Sequence, residues 1–283
     1  MNVSKHLCHW CGAILLFGFT IPAHGSVNSA DLQKQYEGQV LTLRQFYPGE
    51  RLHFDKGGKL ANAVTPGAWT VDGQVQVKGI SLKDGVVHIR GQRLFLFFDP
   101  ETNQLRVVGS VTKADSARKL FRKKVDEWAA KHGKIEIEVE CGAPQPEMAD
   151  LTQAMNAVFL APGEALAGVV PDLWKSYLDP KAASAGRGAY RVGGGVTAPR
   201  ATFAPDPSYP EQARQAGYQA VTVLWLIVGS DGSPHDIRLV RPAGMGLDEA
   251  AVSTVSTWRF DPAKKDGNGV PVRINVEVSF KLY

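Results

Sequence analysis

The sequence predicts an α+β protein: a strand-rich N-terminal α+β domain, a linker, and a small C-terminal domain ordered helix, strand, strand, helix, strand. Short apolar runs divided by Gly, Pro and Asp turns fill the first half. A Gly-, Ala- and Pro-rich stretch without apolar period follows. Near the end, Val272, Ile274, Val276, Val278, Phe280 and Leu282 alternate with Arg273, Asn275, Glu277, Ser279 and Lys281. That period of two belongs to a strand with one buried and one wet face. The 283 residues are 44% hydrophobic and 21% charged, which excludes disorder. A net charge of +4 is too weak to imply a nucleic-acid partner.

Residues 1–25 are expected to be a signal peptide. Lys5 is its positive region, Gly12 to Ile21 its apolar run, and Ala23-His24-Gly25 its small-residue cleavage site. The run is shorter than the ~20 residues a membrane-spanning helix needs. Uncleaved, it would anchor the chain in the inner membrane. Cys8 and Cys11 fall inside this segment, which leaves Cys141 as the thiol of the exported chain. Cys141 shares a face with Ile135, Ile137 and Val139, so a buried thiol is expected, with an intermolecular disulfide as the alternative.

The N-terminal domain is placed at residues 31–178. Strands are expected at Val40–Tyr47, Leu52–Asp55, Trp69–Val71, Gln74–Leu82, Val86–Arg90, Arg93–Asp99 and Leu105–Val108, in an antiparallel sheet that curls or closes. A helix is expected over Asp115–His132, with Ala117, Leu120, Phe121, Val125 and Trp128 in one stripe. The strand Ile135–Cys141 follows, then a helix over Glu147–Phe159 and a short one over Glu164–Leu178, broken at Pro171. Residues 179–208 form the linker, about 30 Å long as a flexible coil.

The C-terminal domain is placed at residues 209–283. Tyr209 to Arg214 opens a short helix that Gly217 closes. Ala220–Val228 and Asp236–Arg241 are a hairpin turning at Ser230 to Ser233. Leu247–Trp258 is a helix with Leu247, Ala251, Val255 and Trp258 on one face. Val272 to Leu282 completes a three-stranded antiparallel sheet.

Tyr209-Pro210, Gly217, Val221, Asp231-Gly232, Leu247-Asp248, Ala251, Trp258, Phe260, Pro262, Gly267, Pro271-Val272 and Phe280 together resemble the C-terminal domain of the TonB family. The resemblance covers residues 209–283. It implies a periplasmic protein, not an enzyme, that takes part in TonB-dependent transmembrane transport. In such domains the last strand takes up an extended segment, the TonB box, of an outer-membrane receptor. Backbone addition to an open sheet edge suits that role. The implied binding residues are Val272, Arg273, Ile274, Asn275, Val276, Glu277, Val278, Ser279 and Phe280. On this reading a proline at Val276 removes a ladder donor and abolishes binding. Another envelope protein is the alternative partner, and a second copy paired through the last strand would compete for the same edge.

The resemblance stops short of the inner-membrane motor. The run Gly12–Ile21 holds no Ser or His for motor contact, and the long charged spacer of an energy transducer is missing. Phe46-Tyr47-x-Gly49 and Trp69-Thr70-x-Asp72-Gly73 are similar to pieces of N-terminal halves attached to such proteins, and they bring no activity. His53, His88, His132 and His235 are too scattered for a local metal motif, so no metal or cofactor is expected. Glu136, Glu138 and Glu140 read as a solvated strand face, and Gly193-Gly194-Gly195 as linker. The rivals are a membrane-retained, proton-driven energy transducer and an envelope ligand-binding or enzymatic protein acting through residues 31–178.

Overall fold

The computed structural model describes residues 27–99, 104–108, 116–178 and 188–282, with only the backbone of 116–122. The expected signal, with Cys8 and Cys11, lies outside them. Among the described residues no helix is long and apolar enough to cross a membrane.

The N-terminal half begins with α1 (Ser29–Tyr36), β1 (Val40–Thr42), β2 (Arg51–Phe54), α2 (Trp69–Asp72), β3 (Gln74–Lys83) and β4 (Val86–Arg93). It continues with β5 (Leu96–Asp99), β6 (Gln104–Val107), α3 (Ser116–His132), β7 (Lys134–Glu140), α4 (Met148–Val158), a 3-10 turn (Leu166–Gly168) and α5 (Asp172–Leu178). Its main sheet is an open five-stranded one, ordered β1-β3-β4-β7-β2. The expected antiparallel sheet, curled or barrel-like, is corrected here, because β2 joins the edge parallel to β7 and β1 and β2 remain its two open edges. Alternation along these strands buries Val75, Val77, Val87, Ile89, Ile135, Ile137 and Val139. The buried face also holds the free thiol of Cys141, and burial pushes that thiol's pKa up. Trp69–Val71 is not a strand. The Ala68 carbonyl accepts from the Val71 and Asp72 amides, which closes one helical turn whose side chains are all buried. Three residues are too few to display either period.

The C-terminal half holds β8 (Tyr190–Arg191), β9 (Arg200–Phe203), α6 (Glu211–Gln215), β10 (Ala220–Val228), β11 (Pro234–Arg241) and α7 (Leu247–Val255). The short strands β12 (Arg259–Asp261), β13 (Lys264–Lys265) and β14 (Asn268–Gly269) precede β15 (Val272–Phe280). The sheet has four strands, β11-β10-β15-β8, rather than three. Its extra strand comes from the expected linker, as does β9, which pairs with β12. α7 ends at Val255, so Trp258 lies beyond the helix, half-buried, with its Nε1 donating to the Pro205 carbonyl at 3.2 Å.

One buried apolar cluster runs through both halves. At the junction the Phe98 amide donates to Ala243 O at 2.9 Å and the Met245 amide to Leu96 O at 2.8 Å. Gly244, at φ +83°, stands where a Cβ would lie 2.4 Å from the Leu96 carbonyl, so the contact requires glycine. The Gly246 amide donates to Thr70 Oγ1 at 3.0 Å. Trp174 Nε1 reaches Glu249 Oε1 at 2.8 Å, bringing α5 onto α7.

Candidate functional site

The motif residues of the C-terminal half make the frame that holds β15. The Tyr209 ring meets Phe280 edge-on at 5.5 Å, and its hydroxyl donates to the Tyr218 carbonyl. Pro210 caps α6, and Gly217, at φ +66°, lets the chain leave that helix. Asp231 accepts from the Ser233 amide in the hairpin turn at 3.0 Å. Gly232, at φ +78°, would place a Cβ 1.9 Å from the Phe260 carbonyl. Leu247, Ala251 and Val255 are fully buried beneath the sheet. Asp248 is also fully buried, and its carboxyl accepts from Thr222 Oγ1 and the Ala243 amide at 2.8 Å and the Gly244 amide at 2.7 Å. Burial pushes its pKa up to about 7 against those donors. Phe260 is buried in β12, and Pro262 follows that strand.

β15 runs antiparallel to β10 without a register break, from Val272 opposite Val228 to Phe280 opposite Ala220. Val272, Val278 and Phe280 are buried, Arg273, Ile274 and Val276 half-buried, and Asn275, Glu277 and Ser279 exposed. On its other side β8 runs parallel and reaches only Val272 and Arg273. Among the described residues no strand pairs with this side beyond Arg273. The Tyr190 amide donates to Pro271 O at 2.9 Å. Along an extended strand the N–H and C=O of one residue share a direction, and neighbours point oppositely. Arg273, Asn275, Glu277 and Ser279 therefore aim their backbone groups outward, while Ile274, Val276 and Val278 aim theirs at β10. The expectation for a Val276 proline is corrected accordingly: that N–H belongs to the internal ladder.

The wet face beside this edge carries Trp225, opposite Asn275, with the Arg238 guanidinium 5.1 Å over its ring. The opposite margin of the sheet, β11, has α5 packed against it.

Residues 205–282 match the family model described as the Gram-negative bacterial TonB protein C-terminal. They are a TonB C-terminal domain. Over 79 residues the chain is 35% identical to Protein tonB2 of Pseudomonas aeruginosa, covering 28% of this chain and 29% of that protein. Over 77 residues it is 30% identical to Protein TonB of Vibrio cholerae, covering 27% and 32%. The matches thus span about a third of those relatives or less. The solution NMR structure of the Pseudomonas aeruginosa TonB C-terminal domain aligns at 20% identity and a TM-score of 0.27, over 33% of this chain and 93% of that one.

Outside the TonB domain, the fold joins residues that the sequence kept apart. Arg93 is buried between the two N-terminal motif pieces. It donates to the carbonyls of Asp72, Tyr47 and Gly49 at 2.7 to 2.9 Å and faces the Asp72 carboxylate at 3.3 Å. Burial pushes Asp72 up to about 6 although Arg93 draws it down. These pieces are therefore a structural node, and one arginine is a weak signal for it. His53 and His88 also meet the strand of glutamates. His53 bridges Glu138 and Glu140 at 2.9 and 2.8 Å, and His88 lies 3.1 Å from Glu138. Among the described residues no group of His, Cys, Asp and Glu is arranged to hold a metal ion. In α3, Lys123 is exposed and pairs with Glu127 at 3.7 Å.

Proposed function

We propose that this chain is a periplasmic protein whose TonB C-terminal domain takes up an extended peptide segment, such as the TonB box of an outer-membrane receptor, as a new strand against β15. The observation that carries the reading is the open ladder of Asn275, Glu277 and Ser279, whose outward N–H and C=O groups meet no strand among the described residues. An added strand would satisfy those groups, and the charges of Glu277 and Lys281 would restrain indiscriminate pairing. The same edge could receive a second copy of the chain. Titrating the isotopically labelled chain with TonB-box peptides from the receptors of its host tests the reading. The amides of Asn275, Glu277 and Ser279 should shift and become protected from exchange. Perturbation confined to residues 31–178 would sink it, and concentration-dependent protection without peptide would assign the edge to self-pairing.

A further inference from the structure

We propose that Tyr190–Arg191 is a built-in cap that competes with an incoming peptide for the Val272–Arg273 end of the β15 edge; the proposal rests on the edge reading above. The cap already makes the bond a ligand strand would make, since the Tyr190 amide donates to Pro271 O at 2.9 Å. Its register places Tyr190 beside Val272 and Arg191 beside Arg273. Because β8 runs parallel to β15, its exit through Val192 lies toward Ile274, where an added strand would begin.

The cap is lightly held. Tyr190 is 41% exposed and Val192 48%, although both are apolar. The Lys265 ammonium lies 4.9 Å over the Tyr190 ring, an exposed cation–π contact. Behind the cap stand Gly193, Gly194 and Gly195 at φ +104°, +60° and +85°. A Cβ at any of them would meet nothing within 4 Å, so backbone conformation and not packing requires glycine there. Beyond the glycines the chain is fixed again. Val196 is buried, its amide and carbonyl pair with Gly193, and Thr197 exchanges hydrogen bonds with the Lys264 backbone at 2.8 and 2.9 Å. A weak strand tethered to an anchored glycine turn makes a flap. Being tethered, that flap competes at high effective concentration and holds the end of the edge until a stronger strand displaces it.

The test compares the full exported chain with Tyr190→Pro, which deletes the amide given to Pro271. Amide hydrogen exchange reads the cap, and calorimetric titration with TonB-box peptides from the host's receptors reads the competition. The Arg273 amide should be protected in the wild type and exchange as fast as Asn275 in the variant. Peptide should bind the variant roughly fivefold more tightly. Lys265→Gln, which removes only the cation, should move both readouts the same way by about twofold. Unchanged Arg273 protection in Tyr190→Pro overturns the cap. Released protection with equal affinity overturns the competition while the edge reading stands. No binding by either chain overturns the edge reading itself.

Discussion

Two adjacent proline substitutions should behave oppositely, because backbone direction alternates along β15. Val276 lies opposite Leu224, and its N–H points into the ladder with β10. Val276→Pro removes that donor and leaves the carbonyl of the fully buried Leu224 without its partner. A buried orphaned acceptor costs ~1–3 kcal/mol, and the proline ring disturbs the ladder further, so a total near ~3 kcal/mol is expected. Glu277 sends its N–H outward, where no described strand receives it. Glu277→Pro should stay within ~1 kcal/mol of wild type, as surface substitutions do, yet prevent an added strand from pairing. Urea unfolding followed by tryptophan fluorescence reads the first effect. A ~3 kcal/mol loss moves the midpoint by ~1 M or more. Peptide titration of the folded Glu277→Pro chain reads the second. Equal destabilisation by both prolines would refute the assignment of backbone directions, and full peptide affinity in Glu277→Pro would refute the edge.

Asp248→Ala should cost on the order of 3 kcal/mol, because it leaves the Ala243 and Gly244 amides and the Thr222 hydroxyl without an acceptor; a melting temperature equal to wild type would contradict this. Because burial raises Asp248 from 3.8 to about 7, the folded chain holds that proton longer. This stabilisation is complete below the unfolded value and fades as pH rises through the folded one, and Asp248→Asn should flatten that slope. Gly232→Ala should lose at least ~2 kcal/mol, since it combines a left-handed backbone with a Cβ on the Phe260 carbonyl; calorimetry of the variant checks it. His53 should titrate above 6.5 by NMR, held up by its hydrogen bonds to Glu138 and then Glu140, and Glu138→Gln should lower its midpoint.

The TonB domain was legible because its signals are long or chemically specific. The alternation of β15 runs through nine residues, and Asp231-Gly232 names its own turn. Trp69–Val71 carries neither advantage, and only its neighbours make it helical. The end of α7 was misjudged because Trp258 continues the apolar stripe after the hydrogen bonding has stopped. β8 was invisible because two residues show no period and their pairing is tertiary. The orientation of the candidate edge was hidden for a deeper reason. Side-chain alternation assigns residues to faces of a sheet, but it does not say on which side the partner strand lies. Only the bond from Tyr190 to Pro271 and the register with β10 fix which amides of β15 look outward.

The N-terminal half bears on the edge through the opposite margin of the sheet. A small sheet by itself presents two margins, and each can recruit a stray strand. Here α5 packs against β11 and Trp174 bonds to Glu249 of α7, so one margin is attended by the other half of the chain. The junction depends on Gly244 and Gly246, both in left-handed conformations, the first with its Cβ position filled by the Leu96 carbonyl. Side chains at these positions would loosen the docking and bare the β11 margin. β15, paired with β8 only at Val272 and Arg273, is then the margin that the proposed function assigns to an added extended segment. On the proposed function, selectivity for the β15 edge would then arise from what covers β11.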